Sequence, residues 1–197
     1  MYLPEDNPGA FSFFVDWLYR SPLPAGHTQP YLANLYHLWT FATKICLTKL
    51  ADDAMDRIQD TCKEHDHFIS DGLLKEIWGR TETDSMLRSW VIDLKVYGMF
   101  ENKKPRDGDE DFFCHIKDKR YKDLWKLLQD DFDLFKTFFI KFEYMAQHVD
   151  DFVFSDPRRD REHDESYCNY HSHKEEKCVA ARSKPKRQVS DSRKGKK

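Results

Sequence analysis

The chain has 197 residues and a formal net charge of −3, so it is long enough for one domain, and the whole molecule has no charge excess that indicates a polyanionic partner. Hydrophobic residues make up 40% and aromatic residues 15%, with only 7 Gly and 8 Pro, which excludes disordered and collagen-like chains. Charged residues reach 34%, and we therefore expect the apolar side chains to lie on single faces of solvated helices.

The start of the sequence does not resemble a secretory signal, since MYLPE has no basic stretch leading into an apolar run. No stretch reaches the roughly 18 apolar residues needed to cross a bilayer. The odd number of cysteines is typical of reduced thiols in the cytosol. They are Cys46, Cys62, Cys114, Cys168 and Cys178. The sequence predicts an intracellular protein of the cytoplasm, with the nucleus as a further location.

Three helices are predicted in the first part of the chain. Asn7 followed by Pro8 is typical of an N-cap with proline at the first helical position, and the prolines within residues 21–24 predict the end of this helix. Aromatic and leucine residues at spacings of three and four predict a second helix over 29–43. A third, from Leu47 to Ile58, has its apolar side chains on one face.

More helices are predicted in the middle of the chain. Ser70 is a suitable cap for a helix to Gly79, and Asp84 for a helix to Phe100. The run ENKKPRDGDED at 101–111 contains no apolar residue and predicts a solvated loop. From Lys119 to His148 the composition is helical, with a turn at residues 130–131. The predicted fold class is mainly α.

The aromatic stripe from Phe132 to Tyr144 has two interpretations. It could line a ligand pocket or partner groove, but aromatic residues at helical spacing more often fill a core. We therefore predict that the stripe is buried, and with it four tryptophans: Trp39, Trp78, Trp90 and Trp125.

The end of the chain holds a compact set of metal-binding residue types. Thiolate and imidazole are the ligands that zinc prefers, and four such side chains fall within eleven residues. They are Cys168, His171, His173 and Cys178. Their spacing fits no common zinc finger, so the alternative is a polar tail with unliganded cysteines. Zinc is the one cofactor that the sequence suggests.

A second group, His65 with Asp66 and His67, pairs imidazole with carboxylate as acid–base catalysts do. The simpler interpretation is a solvated link at the end of a helix. The sequence has no nucleophile elbow, no glycine-rich phosphate loop and no HExxH motif. We therefore predict that the protein is not an enzyme.

After Phe154 the sequence becomes charged, and we expect no packed structure there. Residues 182–197 contain eight Lys and Arg against one acid, Asp191, and KPKR at 184–187 resembles a nuclear-localisation signal. The alternatives are loose, salt-dependent binding to nucleic-acid phosphates and a solubilising end.

The sequence also resembles a known family. LPEDNP at 3–8, FVDWLY at 14–19, ATKICL at 42–47 and LADDAMDRI at 50–58 are similar to a segment of fungal BTB/POZ domains. A weaker similarity to the C-terminal extension of that family continues to about Leu94. The resemblance implies a partial BTB/POZ-like helical region over 1–66, a helical extension over 67–154 and a charged tail over 155–197.

The resemblance also implies a function. Domains of this family are non-catalytic protein–protein interaction modules, so an adaptor or scaffold is expected, with a homodimer or a cullin-type ubiquitin ligase among the partners. The family's strands and first helices, which supply much of both surfaces, would precede Leu3, and we expect the chain to begin in mid-domain. The alternatives are a nuclear, zinc-dependent regulatory or nucleic-acid-binding protein that uses the Cys168–Cys178 cluster, and a non-functional remnant.

Overall fold

The chain is mainly α-helical, as the sequence predicts. The computed structural model describes residues 7–101, 118–147, 156–158 and 167–172, and only the backbone of residues 101, 118–121, 167 and 168. In these ranges there are seven α-helices and no strand. The helices are α1 (Pro8–Arg20), α2 (Gln29–Lys44), α3 (Thr48–Glu64), α4 (Asp71–Arg80), α5 (Met86–Glu101), α6 (Asp118–Leu128) and α7 (Phe132–Gln147), and a 3₁₀ helix follows at Tyr167–Tyr170.

Several helix starts are set by polar caps, and two of these caps, Asn7 and Ser70, are confirmed sequence predictions. The Asn7 side chain accepts hydrogen bonds from the first turn of α1, and Ser70 caps α4. Asp131 caps α7 by accepting from Leu134 N at 2.9 Å, which confirms a turn between α6 and α7. The predicted cap Asp84 is wrong, because Ser85 Oγ accepts from the N–H group of Arg88 instead.

Helices α2 and α3 form an antiparallel hairpin. Gln29 at the start of α2 contacts His67 just beyond α3, and Tyr31 contacts Arg57. The link between the helices turns at Cys46, whose φ of 58° is in the left-handed region. Buried side chains lie around more than half of the circumference of α2, as expected of a central helix. They are Tyr31, Leu32, Leu35, Tyr36, Leu38, Trp39, Phe41 and Ala42.

Helix α5 extends the same core. Trp90 is fully buried and its ring centroid lies 6.1 Å from that of Tyr36 on α2. Phe100 near the end of α5 packs on Phe142 of α7, with ring centroids 5.3 Å apart. The helices on either side of residue 66 therefore share one apolar core.

Two short segments after Phe154 are packed, which differs from the expectation for that part of the chain. The carbonyl of Pro157 accepts a 3.0 Å hydrogen bond from Trp90 Nε1, and the guanidinium of Arg158 lies 4.4 Å from the centre of the Phe68 ring. Arg158 is buried and pairs with Asp156. Charged residues pack here because ion pairs and hydrogen bonds compensate their desolvation.

Asp156 makes this docking dependent on pH. Burial alone would raise the pKa of Asp156, but hydrogen bonds from Arg158 and Lys63 outweigh it and lower the pKa. A carboxyl group with a lowered pKa in the folded state stabilises the fold above its ordinary pKa range. This contribution is lost as pH falls through the lowered pKa.

Two further sequence predictions concern segments that the structure does not describe. The predicted loop at 101–111, apart from the helical residue 101, and the basic tail at 182–197 lie outside the described residues. Of the helices in the described ranges, none combines the length and apolar character needed to cross a membrane.

The central position of α2 can be tested by truncating one of its side chains. Leu35 is fully buried, so Leu35→Ala is expected to lower the free energy of unfolding by about 2–5 kcal/mol. Leu18→Ala, at a residue 54% exposed on α1, is the control, with an expected loss of at most about 1 kcal/mol. Urea denaturation measures both, and equal losses would contradict the packing described here.

Candidate functional site

The outer face of α1 is apolar and exposed. Phe11, Val15 and Leu18 recur at spacings of four and three, which places them on one side of the helix, with Tyr19 beside them. Phe11 is 45% exposed, Leu18 54% and Tyr19 84%. We call Phe11, Val15, Leu18 and Tyr19 the α1 face.

The opposite side of α1 is held firmly against α2 and α3. Ala10 is buried, and a Cβ atom on Gly9 would lie 2.5 Å from the side chain of Asn34, so the two helices approach closely here. The Phe14 ring packs 5.3 Å from that of Phe41, centroid to centroid. The exposed side chains of α1 are thus presented by a helix that is fixed in position.

Charged groups lie on the side of α1 that faces α3 and also beside Tyr19. Trp17 Nε1 donates to Asp53 Oδ2 at 2.8 Å, and the same carboxylate pairs with Lys49 at 2.6 Å. Arg20 and Asp16 form an exposed pair at 3.5 Å. An apolar centre with a polar, solvated rim is the usual composition of a protein–protein interface.

A second apolar surface lies on α7, and here the sequence prediction is partly wrong. Leu134 and Phe138 are buried, as predicted for the stripe, and so is Met145 just beyond it. Four other apolar residues of the helix are exposed, namely Phe132, Phe139, Ile140 and Tyr144. Helix α7 packs against α5 with one side only, so a stripe that is apolar nearly all round cannot be buried whole.

The four tryptophans predicted to be buried do not behave alike. Trp39, Trp78 and Trp90 are buried. Trp125 on α6 is 60% exposed, so the prediction is wrong for this residue. On α6 it is Leu127 and Leu128 that enter the core, and Trp125 lies outside them.

Of the four proposed zinc ligands, only His171 has a described side chain. His171 is buried, and its Nε2 atom lies 2.6 Å from Asp56 Oδ1 on α3. His173 and Cys178 lie outside the described residues, as does the side chain of Cys168. Among the described side chains, no three His, Cys, Asp or Glu form a group that could hold a metal ion as they stand. The zinc site at Cys168–Cys178 therefore stays a prediction.

The neighbour of His171 is also anchored. The hydroxyl of Tyr170 donates to Asp93 Oδ2 at 2.7 Å, and Lys141 of α7 pairs with the other oxygen of this carboxylate. Sequence reasoning missed the contacts of Tyr170 with Asp93 and of His171 with Asp56, since buried polar pairs 77 and 115 positions apart leave no periodic pattern. An alternation of aromatic residues and histidine within a charged segment, as in CNYHSH at 168–173, is the one signal there.

The histidines of the predicted link lie at the end of α3. His65 is exposed, and His67 Nε2 lies 2.7 Å from the carbonyl oxygen of His27. Asp66 pairs with Arg158 at 2.6 Å rather than with either imidazole. The structure therefore does not assemble these three residues into the acid–base pair considered from sequence.

Comparisons with known proteins identify no relative. The chain matches no protein-family model, and neither a curated protein nor a solved structure is significantly similar to it.

The buried pair of His171 and Asp56 can be tested by a double-mutant cycle with Asp56→Asn and His171→Ala. Because His171 is almost fully buried, we expect a coupling free energy of about 1–3 kcal/mol from urea unfolding. The exposed pair of Asp16 and Arg20 is the matched control, with an expected coupling below about 0.5 kcal/mol. A coupling near zero for the buried pair would contradict the docking of residues 167–172.

The two described cysteines are expected to differ in reactivity. Burial raises the pKa of the Cys62 thiol to about 12, whereas Cys46 is exposed. Thiolate is the reactive form, so iodoacetamide near neutral pH is expected to alkylate Cys46 in the folded protein and Cys62 only after unfolding. Peptide mass spectrometry distinguishes the sites, and equal rates at both would show that the core around Cys62 is open.

Proposed function

We propose that the chain is a non-catalytic protein–protein interaction module of BTB/POZ type that acts as an adaptor or scaffold. The observation that carries the proposal is the α1 face, where large apolar side chains are exposed on a helix whose other side is locked into the core. Surfaces of this kind mark interaction sites in soluble proteins.

The mechanism follows from the chemistry of this surface. Binding removes Phe11, Leu18 and Tyr19 from water, and each large apolar side chain that is fully desolvated contributes on the order of 1.5–3 kcal/mol. Helix α1 is already ordered, so little conformational entropy is lost when a partner docks. The exposed pair Arg20–Asp16 on the same helix favours partners that offer polar groups beside their apolar surface.

The proposal includes the partner class and the location. Partners are other proteins that offer an apolar groove or helix to the α1 face, and a second copy of the chain or a cullin-type ligase falls within this class. No catalytic step is assigned, because binding through an apolar surface needs none. The intracellular location is in keeping with the free thiol of Cys46 at the surface.

The test compares two charge substitutions at exposed apolar residues. Leu18→Asp places a charge in the α1 face, and Ile140→Asp places one on α7 at a residue of similar exposure. Partners captured by the wild-type chain are purified, and their affinities for the three proteins are measured by calorimetry. Leu18→Asp is expected to weaken binding by at least about tenfold, and Ile140→Asp to leave it unchanged.

The free energy of unfolding of each variant separates lost binding from lost folding. Both residues are exposed, so changes of no more than about 1 kcal/mol are expected. If Leu18→Asp and wild type bind every captured partner equally, and the wild-type chain does not self-associate in sedimentation experiments, the proposed role of the α1 face is wrong.

A further inference from the structure

Three imidazole rings from two segments of the chain meet beside the end of α3. His27, in the link before α2, has its ring centroid 5.5 Å from that of His65, and His65 lies 5.9 Å from His67. Two imidazoles that share one tetrahedral zinc ion, with Zn–N bonds of about 2.0 Å, have centroids about 5 Å apart. Each of these two neighbouring pairs is therefore spaced almost as two ligands of one ion, with the His65 ring between the other two.

The backbone at the end of α3 produces this arrangement. Asp66 has a φ of 50°, in the left-handed region that aspartate tolerates better than most residues. The reversal is closed by a 3.0 Å hydrogen bond from His67 N to Cys62 O. It directs the side chains of His65 and His67 to the same side of the chain, towards His27.

His67 is already oriented as a metal ligand would be. Its Nε2 atom lies 2.7 Å from the carbonyl oxygen of His27, and since a carbonyl only accepts, Nε2 carries the proton and Nδ1 the lone pair. Metal-binding histidines regularly donate their second ring N–H to a carbonyl or carboxylate in this way. The side-chain amide of Gln29 lies 3.3 Å from Nδ1 of His67. The Gln29 side chain is exposed and can turn towards solvent.

The electrostatic surroundings are compatible with a cation. Glu64 Oε2 lies 3.8 Å from His65 Nε2 and adds a carboxylate oxygen donor at the edge of the cluster. The nearby basic groups are paired with other carboxylates, Arg158 with Asp66 and Lys63 with Asp156. A divalent ion bound by the imidazoles would therefore lie near basic groups whose charge is already compensated by carboxylates.

We propose that His27, His65 and His67 bind a divalent first-row transition metal ion, Zn²⁺ being the type case, with Glu64 as the carboxylate beside it. As the side chains lie, no three of the described donors converge on one point. His27 and His65 are exposed, so their side chains are able to rotate, and the proposed site requires them to turn towards His67. The bound ion would tie the link before α2 to the end of α3.

The test uses the full chain with Cys168→Ser and Cys178→Ser, which removes the other candidate zinc ligands of high affinity. ZnCl₂ is titrated calorimetrically into this protein and into versions that also carry His27→Ala or His65→Ala. Each histidine substitution is expected to weaken zinc binding by at least about tenfold. Gln29→Ala is the matched control and is expected to bind zinc as tightly or more tightly, because Nδ1 of His67 loses its neighbour.

Two further readouts complete the test. Zinc is expected to raise the melting temperature of the parent protein and not that of His65→Ala, because an ion that binds only the folded state stabilises it. Acidification is expected to weaken zinc binding, because protons compete with the ion for the imidazole nitrogens. Circular dichroism checks that the variants, altered at exposed residues, keep their helix content.

Three results would overturn the proposal. One is that zinc at about 100 µM, a concentration well above the dissociation constant expected of a histidine site, produces neither a heat of binding nor a rise in melting temperature. Another is equal binding by the parent protein and the His27→Ala and His65→Ala versions. The third is zinc binding only in chains that retain Cys168 and Cys178, which would assign the ion to the C-terminal cluster.

Discussion

The burial of α2 on almost every side is the constraint on which the rest of the structure depends. A helix that is apolar around most of its circumference cannot remain in water, so α1, α3, α4 and α5 must surround it. Leu32, Leu35 and Ala42 are fully buried as a result. The positions of the α1 face and of the histidine cluster are both set relative to this central helix.

The two proposed binding sites differ in how they are built. The α1 face belongs to a helix held by apolar packing from behind, so its side chains are presented without any special bond of their own. The histidine cluster depends on local backbone geometry, a left-handed Asp66 and a hydrogen bond from His67 to the carbonyl of His27. A change in the core would alter the first surface through α1, and a change in the turn would alter the second.

Much of the fold could be predicted from sequence, because its helices are marked by short-range sequence signals. The Asn7–Pro8 start and the Ser70 cap are short-range signals, and amphipathic spacing predicts α3. Trp125 and Phe132 show where this reasoning ends, since an aromatic residue on a helix is buried only if another element covers its side. Periodicity identifies a face, but it does not say how many faces the fold can cover.

The candidate sites were less accessible to sequence reasoning. Exposure of the α1 face depends on which elements pack beside it, and the meeting of His27 with His65 requires α2 and α3 to pair antiparallel. The pattern EHDH at 64–67 was visible, but its third imidazole lies 38 residues upstream of His65. Such groupings arise from tertiary contacts and leave no local trace.

The contacts of Pro157 with Trp90 and of His171 with Asp56 have a consequence for how the chain is made. They join positions 67 and 115 residues apart, so the loops that they close are among the longest in the fold and are costly in entropy to close early. On the ribosome, α1 to α5 emerge well before these partners. In the nascent helical bundle, Trp90 therefore lacks its contact until Pro157 has left the exit tunnel, and Asp56 until His171 has left it. Chaperones can act in this interval.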